Sequence, residues 1–214
     1  MPDRLSVRAG SLTVPVAERL VSQSVHLVGG ELRILQPEEA AELPDDGPVE
    51  WAPVAPYWAV LWRSGVALAR ELEGEDLGGR RVVELGCGLA LPSIAAALAG
   101  ASVLATDMAP EALALAKRNA RANGVRIEAA AFDWSAPAQL ARFDLVLAAD
   151  VLYERPAVGA LLDLLPRLAP EAWLADPGRP AAGAFLEQAS RRWSVETRVR
   201  GLVRIHRLRF ASPP

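Results

Sequence analysis

The chain has 214 residues, 51% of them hydrophobic, with a formal net charge of −3; that length suits one domain with a sizeable core. The lack of a basic excess speaks against a protein that grips a nucleic-acid backbone, and no apolar run reaches the roughly 18 uncharged residues of a membrane span. The one cysteine, Cys87, rules out an internal disulfide and fits a reducing, cytoplasmic compartment, and no secretory signal is expected from the polar start Met1-Pro2-Asp3-Arg4.

Residues 1–50 form an expected N-terminal extension, and 51–214 the main domain. In the extension, Ser24 to Val28 suits a strand, Gly29-Gly30 a two-residue turn and Glu31 to Leu35 the return strand. Pro37 to Pro48 is acidic and turn-rich, as in a surface loop. Trp51, Tyr57, Trp58 and Trp62 then crowd into a dozen residues, more aromatic surface than one small helix needs for its own packing. They either staple the N-terminal arm to the core or wall a ligand pocket. Ser64 is placed to cap a helix from Gly65 to Leu72, and Gly74 to Arg80 is a charged loop.

Arg81 to Asp107, RVVELGCGLALPSIAAALAGASVLATD, organises the rest. Val82 and Val83 begin a buried parallel strand. Gly86 and Gly88 shape a tight turn against which a ligand can lie. Pro92 suits the first turn of a helix that runs through Ile94 to Leu98 and ends at Gly100. Ser102 to Thr106 is a second strand closed by Asp107, 19 residues after Gly88, near the roughly 20-residue spacing at which an acid meets a ribose. A dinucleotide site wants a glycine where Leu91 stands. The pattern therefore favours an adenosine ligand without phosphates over a dinucleotide.

Pro110 to Asn123 has helical spacing, and Ile127 to Phe132 is a third strand followed by Asp133-Trp134. Phe143 to Ala149 is a fourth, with Asp150-Val151-Leu152-Tyr153 at its carboxyl end, where open α/β sheets bind ligands. Pro156 to Leu168 is a helix, Trp173 to Ala175 a fifth strand, Asp176 to Pro180 a loop and Ala184 to Arg192 a helix. Trp193 to Arg200 and Leu202 to Phe210 form a hairpin about Gly201. The fold expected is α/β, a Rossmann-like seven-stranded and mainly parallel sheet with a C-terminal antiparallel hairpin. Much of the arginine cluster from Arg191 to Arg209 alternates with apolar residues, as on a solvated sheet face, with a partner-binding role as the alternative. His26 and His206 lack metal-ligand spacing with Cys87, so no metal site is expected.

ELGCGLALPSIAAALAGASVLATD resembles the first motif of the seven-strand S-adenosylmethionine-dependent methyltransferases, E/D-x-G-x-G-x-G, with Ala90 in the third glycine slot. Trp62-Arg63-Ser64-Gly65 is similar to the upstream motif of the family 16 lysine methyltransferases, with arginine in place of proline, and Asp150-x-x-Tyr153 to the hallmark of that family. Pro56-Tyr57-Trp58-Ala59 and Asp176-Pro177-Gly178-Arg179 look most like the branch acting on the electron transfer flavoprotein beta subunit. The resemblance implies S-adenosyl-L-methionine as cofactor, met by Trp62, Glu84, Gly86, Cys87, Gly88, Asp107, Met108, Asp133, Trp134 and Ala149. Asp133 would meet the adenine amino group, Trp134 the ring. Asp150 would orient the acceptor amine and Tyr153 shape the acceptor side. Capping by Asp133 or Asp150, and core packing by Trp134 or Tyr153, are the rival roles.

The function implied is a protein-lysine N-methyltransferase acting on a flavoprotein subunit or a ribosomal protein. It would be a monomer, with neither nucleic acid nor membrane as partner. A small-molecule amine methyltransferase with a nicotinamide-like substrate and a non-catalytic cofactor-binding subunit are the alternatives. No Asn-Pro-Pro-Tyr or Asp-Pro-Pro-Tyr motif follows the fourth strand, which argues against amide or base methylation.

Overall fold

The computed structural model describes residues 19–41, 57–134 and 141–210. Trp51 and the rest of 42–56 lie outside the described residues. Strands β1 (Leu20–Leu27) and β2 (Gly30–Pro37) form a separate antiparallel hairpin. Leu27 pairs with Gly30, so the turn is Val28-Gly29, one residue earlier than Gly29-Gly30. Gly30 instead opens β2 at φ 153°, and Val28 is left exposed at the tip. A short helix, α1 (Glu38–Ala41), stands where a loop was expected.

The hairpin docks on helix α4 (Pro110–Ala122) through two asparagines that imitate a neighbouring strand. Asn119 accepts from the Leu35 N–H and donates to the Leu35 carbonyl, and Asn123 treats Arg33 the same way. Each pair satisfies a backbone donor and acceptor that the two-stranded sheet leaves open. Asn119 is fully buried and also donates to the carbonyl of Leu89, coupling the hairpin to the glycine loop.

The main sheet contains β3 (Arg81–Leu85), β4 (Ser102–Asp107), β5 (Glu128–Ala131), β6 (Leu145–Ala149), β7 (Glu171–Asp176), β8 (Trp193–Arg200) and β9 (Val203–Phe210). Its order is β5-β4-β3-β6-β7-β9-β8. The first five strands are parallel, and β9 and β8 run antiparallel, as expected. Successive side chains alternate faces. Val82, Leu145 and Leu147 join one core with α2 (Arg63–Glu71), α3 (Leu91–Leu98) and α4. Val83, Val146 and Ala148 join the other with α5 (Pro156–Leu168) and α6 (Pro180–Ala189). Both faces of the parallel strands are thus covered, which is why β3 and β6 are continuous apolar runs apart from Arg81 at the start of β3 and Glu84.

Three local expectations change. Helix α2 starts at Arg63 after an N-cap Trp62, so Ser64 lies inside it and caps nothing. Its hydroxyl is buried without a partner. Helix α6 starts at Pro180, four residues before Ala184, because proline's fixed φ suits a first helical position. The C-terminal arginines are not simply a solvated face: Arg198, Arg200 and Arg207 converge on the carboxylate of Glu71 in α2, whose side chain is 3% exposed. Arg207 also stacks 3.6 Å from the Trp173 ring. Strand alternation puts these arginines on the face that α2 packs against, Arg207 largely buried and Arg198 and Arg200 half-exposed. His206 is a strand residue, as expected, but a buried one. It is paired with Thr197 Oγ1 at 2.9 Å, and burial and Arg204 hold its pKa down to about 4.

Among the described residues no helix is long and apolar enough to cross a membrane, and no cluster of three or more histidine, cysteine or acidic side chains is placed to hold a metal.

Candidate active site

The sheet reverses its winding between β3 and β6, and a crevice opens outside the carboxyl ends of strands at such a point. After β3 the backbone turns through Gly86 (φ 64°) and Gly88 (φ 47°). The Cys87 N–H donates to the Thr106 carbonyl at 2.9 Å, continuing the β3–β4 ladder past the strand end. A Cβ at Gly88 would stand 2.7 Å from the Trp58 carbonyl oxygen. Gly88 is therefore required by the close approach of the 57–62 segment as well as by its φ. Ala90, in the third glycine slot, takes the same left-handed backbone at φ 63° despite its Cβ, a strain of about 1–2 kcal/mol.

Asp107 fastens this loop. One carboxylate oxygen accepts the Gly88 N–H at 2.9 Å, the other the Ala109 N–H at 3.0 Å. An ionised carboxylate has about four acceptor positions, so both oxygens keep capacity for a ligand hydroxyl. Glu84 is buried at the end of β3 and accepts the N–H and hydroxyl of Ser93, at 2.9 and 2.5 Å. Burial pushes its pKa up to about 8, against the opposing pull of the Ser93 bonds. Near neutrality it is held as the acid, and a cation in the cavity would favour its ionised form. Burial, with Glu84 and Asp107 nearby, raises the Cys87 thiol well above its usual range, the reverse of what a nucleophilic thiolate needs. Trp62 leads into α2 with its indole N–H tied to the Tyr57 carbonyl at 3.0 Å.

Across the crevice, Asp150 follows β6. It is 7% exposed and sits at φ 57°, left-handed backbone on a residue with a side chain. Its N–H donates to the Ala175 carbonyl at 2.9 Å. Arg179, from the loop after β7, places Nε and an Nη each 3.0 Å from Oδ1. Oδ2 is buried with no hydrogen-bond partner. Tyr153 stands half-exposed nearby, its phenol pKa raised by burial.

These residues enclose a cavity of about 230 Å³. Trp62, Glu84, Gly86, Cys87, Gly88, Asp107, Met108, Trp134, Ala149, Asp150 and Tyr153 all line it. Asp133 does not; it lies half-buried beside Trp134 with an interaction of its own. Tyr57, Trp58, Leu91, Pro92 and Phe132 line the cavity without having been singled out as cofactor contacts. Arg179 lines it too, and its ion pair is with Asp150 of the same chain. A larger groove of about 560 Å³ lies beyond Val60 and Leu61, which wall both spaces. It has no glycine loop and no acidic lining residue, whereas the smaller cavity has both.

The family model described as lysine methyltransferase matches residues 57–172. An electron transfer flavoprotein beta subunit lysine methyltransferase from Danio rerio is 34% identical over 141 residues, covering 63% of this chain and 55% of that protein. A ribosomal protein L11 methyltransferase from Pseudomonas paraeruginosa is 40% identical over 121 residues, covering 55% of this chain and 38% of that protein. The chain thus spans about half the length, or less, of these curated relatives. Among solved structures, magnesium protoporphyrin IX methyltransferase from Synechocystis superposes with a TM-score of 0.54 at 21% identity, over 69% of this chain and 78% of that one. That likeness is one of fold.

Proposed function

The chain belongs to the lysine methyltransferase family, and on that premise we propose that it is an S-adenosylmethionine-dependent protein-lysine N-methyltransferase. The observation that carries the proposal is Asp150, a residue that lines the cavity opposite the glycine loop, on strained backbone and with one buried carboxylate oxygen that has no donor. Strain and an unsatisfied buried acceptor together are costly, and they gather where a ligand is to be met.

The lining suits the cofactor. Gly86 and Gly88 present backbone without side chains, Asp107 retains acceptor capacity for ribose hydroxyls, and Phe132, Trp134 and Met108 offer an apolar wall for a base. S-adenosylmethionine would supply a methyl group on a positive sulfur, open to in-line displacement. The protein's own work is then position, dryness and charge. A lysine amine, with an ordinary pKa of about 10.4, must be neutral to attack. Asp150 accepts an N–H of the amine and aims its lone pair, and Tyr153 borders the path by which the acceptor enters.

The names of the relatives support an electron transfer flavoprotein beta subunit or a ribosomal protein as acceptor. The test is to incubate the protein with methyl-labelled S-adenosylmethionine and either purified acceptor, or a protein lysate freed of small solutes. Label in a discrete protein band is expected. Label only in small solutes would replace the protein acceptor with a small amine, and cofactor binding with no transfer at all would leave a binding subunit.

A further inference from the structure

Among the described residues that line the cavity, Arg179 is the one cation, set against Glu84, Asp107 and Asp150. A guanidinium fork commonly meets both oxygens of a carboxylate side by side. Here both donors converge on Oδ1 of Asp150 and leave Oδ2 with none. The backbone holds this arrangement. Oδ1 of Asp176 accepts the N–H groups of both Gly178 and Arg179. Pro180 follows and favours an extended Arg179, found at φ −64° and ψ 149°. Gly178, at φ 97°, takes the left-handed backbone that favours glycine, with the end of the Arg204 side chain against it.

This placement bears on the acceptor's charge. A lone buried carboxylate would grip the incoming ammonium and hold it protonated, because an opposite charge nearby stabilises the charged form. A carboxylate already neutralised by a guanidinium loses most of that grip. Its second oxygen can still accept a hydrogen bond from a neutral amine. We propose that Arg179 is a positioning residue that selects an uncharged acceptor: by neutralising Asp150 through one oxygen, it reserves the other for an amine that has already given its proton to solvent and is in its reactive, neutral form. The inference rests on the amine-methylating reading of the site.

Other charged groups face the pair. Asp176 on β7, its carboxyl pushed up by burial, lies beside Asp150 and Arg179. Glu154 and Tyr153 follow β6, Arg204 on β9 backs Gly178, and Glu84 and Asp107 stand at the glycine loop. Of these, Asp176, Glu154, Glu84 and Asp107 favour an ammonium when ionised and Arg204 opposes one. Arg179 alone among the described residues touches the Asp150 carboxylate.

The test compares wild type, Arg179→Gln and Arg179→Lys in transfer from labelled S-adenosylmethionine to the protein fraction of a lysate, from about pH 7 to about pH 10. Calorimetry with S-adenosylhomocysteine on each variant reads the cofactor side. Arg179→Gln is expected to lose about tenfold in transfer near pH 7 and to recover to within about twofold of wild type near pH 10, its acidic limb displaced upward by about one unit. Arg179→Lys keeps the wild-type limb, and affinity for S-adenosylhomocysteine is the same in all three. If Arg179→Gln does not fold, Arg179→Met carries the same expectation. An equal loss at every pH, or a matching loss of S-adenosylhomocysteine affinity, would reduce Arg179 to a structural prop and overturn the inference. Wild type that binds S-adenosylhomocysteine but labels neither protein nor small amine at any pH would overturn the methylation reading itself, and the inference with it.

Discussion

Two buried carboxylates are treated in opposite ways. Glu71, on α2, receives Arg198, Arg200 and Arg207 at 2.9 to 3.1 Å, and both oxygens are engaged. Asp150, after β6, receives one guanidinium on one oxygen, keeps the other without a donor and sits on left-handed backbone. A donorless buried oxygen costs about 1–3 kcal/mol, more when charged, and the backbone conformation about 1–2 kcal/mol more. The fold completes the shell of the carboxylate that ties α2 to the β8–β9 hairpin and leaves incomplete the one that lines a cavity. The contrast separates an acid that holds the molecule together from the acid we propose meets a ligand.

Substitution at each carboxylate should pull stability and activity apart. Asp150→Asn, whose amide oxygen still accepts from Arg179 and whose backbone tolerates φ 57°, is expected to cut methyl transfer by about 10²- to 10⁴-fold with little change in melting temperature, measured by label incorporation and calorimetry. Glu71→Ala should do the reverse. Removing the shared partner of three arginines is expected to cost about 3 kcal/mol, the low end for a broken buried pair because Arg198 and Arg200 are half-exposed. In thermal unfolding that is a fall of roughly 6–12 °C for a domain of this size, with transfer per folded molecule within about twofold. A large activity loss in Glu71→Ala, or a large stability loss in Asp150→Asn, would break the contrast.

Glu84 sharpens it with pH. Its folded pKa of about 8 lies above the ordinary 4.5, so the folded state keeps the proton that the unfolded chain releases. The stability it contributes is full below about pH 4.5 and is lost as pH rises through about 8, at roughly 1 kcal/mol per pH unit in between. The ligand-free protein should therefore melt lower at pH 8 than at pH 5, and Glu84→Gln should flatten that decline. The smallest effect is expected at Ala90→Gly. Relief of the left-handed backbone, about 1–2 kcal/mol, is offset by the lost methyl burial and the looser unfolded chain, leaving stability within about 1 kcal/mol of wild type.

Much of the sheet was legible because its signals are local. Val82-Val83, the Gly86–Gly88 turn and Asp107 stand in one continuous stretch, and the β8–β9 hairpin announces itself through alternation about Gly201. Asp150 was legible as an acid at a strand end. What escaped depends on contacts distant in sequence. Glu71 and Arg207 are 136 residues apart, and Asp150 and Arg179 are 29. Nothing in the alternating arginines tells which face α2 will cover. Asn119 and Asn123 look like ordinary helix surface until β2 lies beside them. The Val28-Gly29 turn was misplaced by one residue because either glycine can supply the turn, and only the pairing of Leu27 with Gly30 decides.

The division of the cavity, with the β3 and β4 ends serving the cofactor and the β6 end serving the acceptor, is tested most directly by calorimetric titration of S-adenosylhomocysteine into wild type, Asp107→Ala and Asp150→Ala. Wild type and Asp150→Ala are expected to bind with equal affinity and Asp107→Ala about tenfold or more weakly, a loss of about 1.4 kcal/mol. No heat with wild type, or binding lost in Asp150→Ala and kept in Asp107→Ala, would contradict that division.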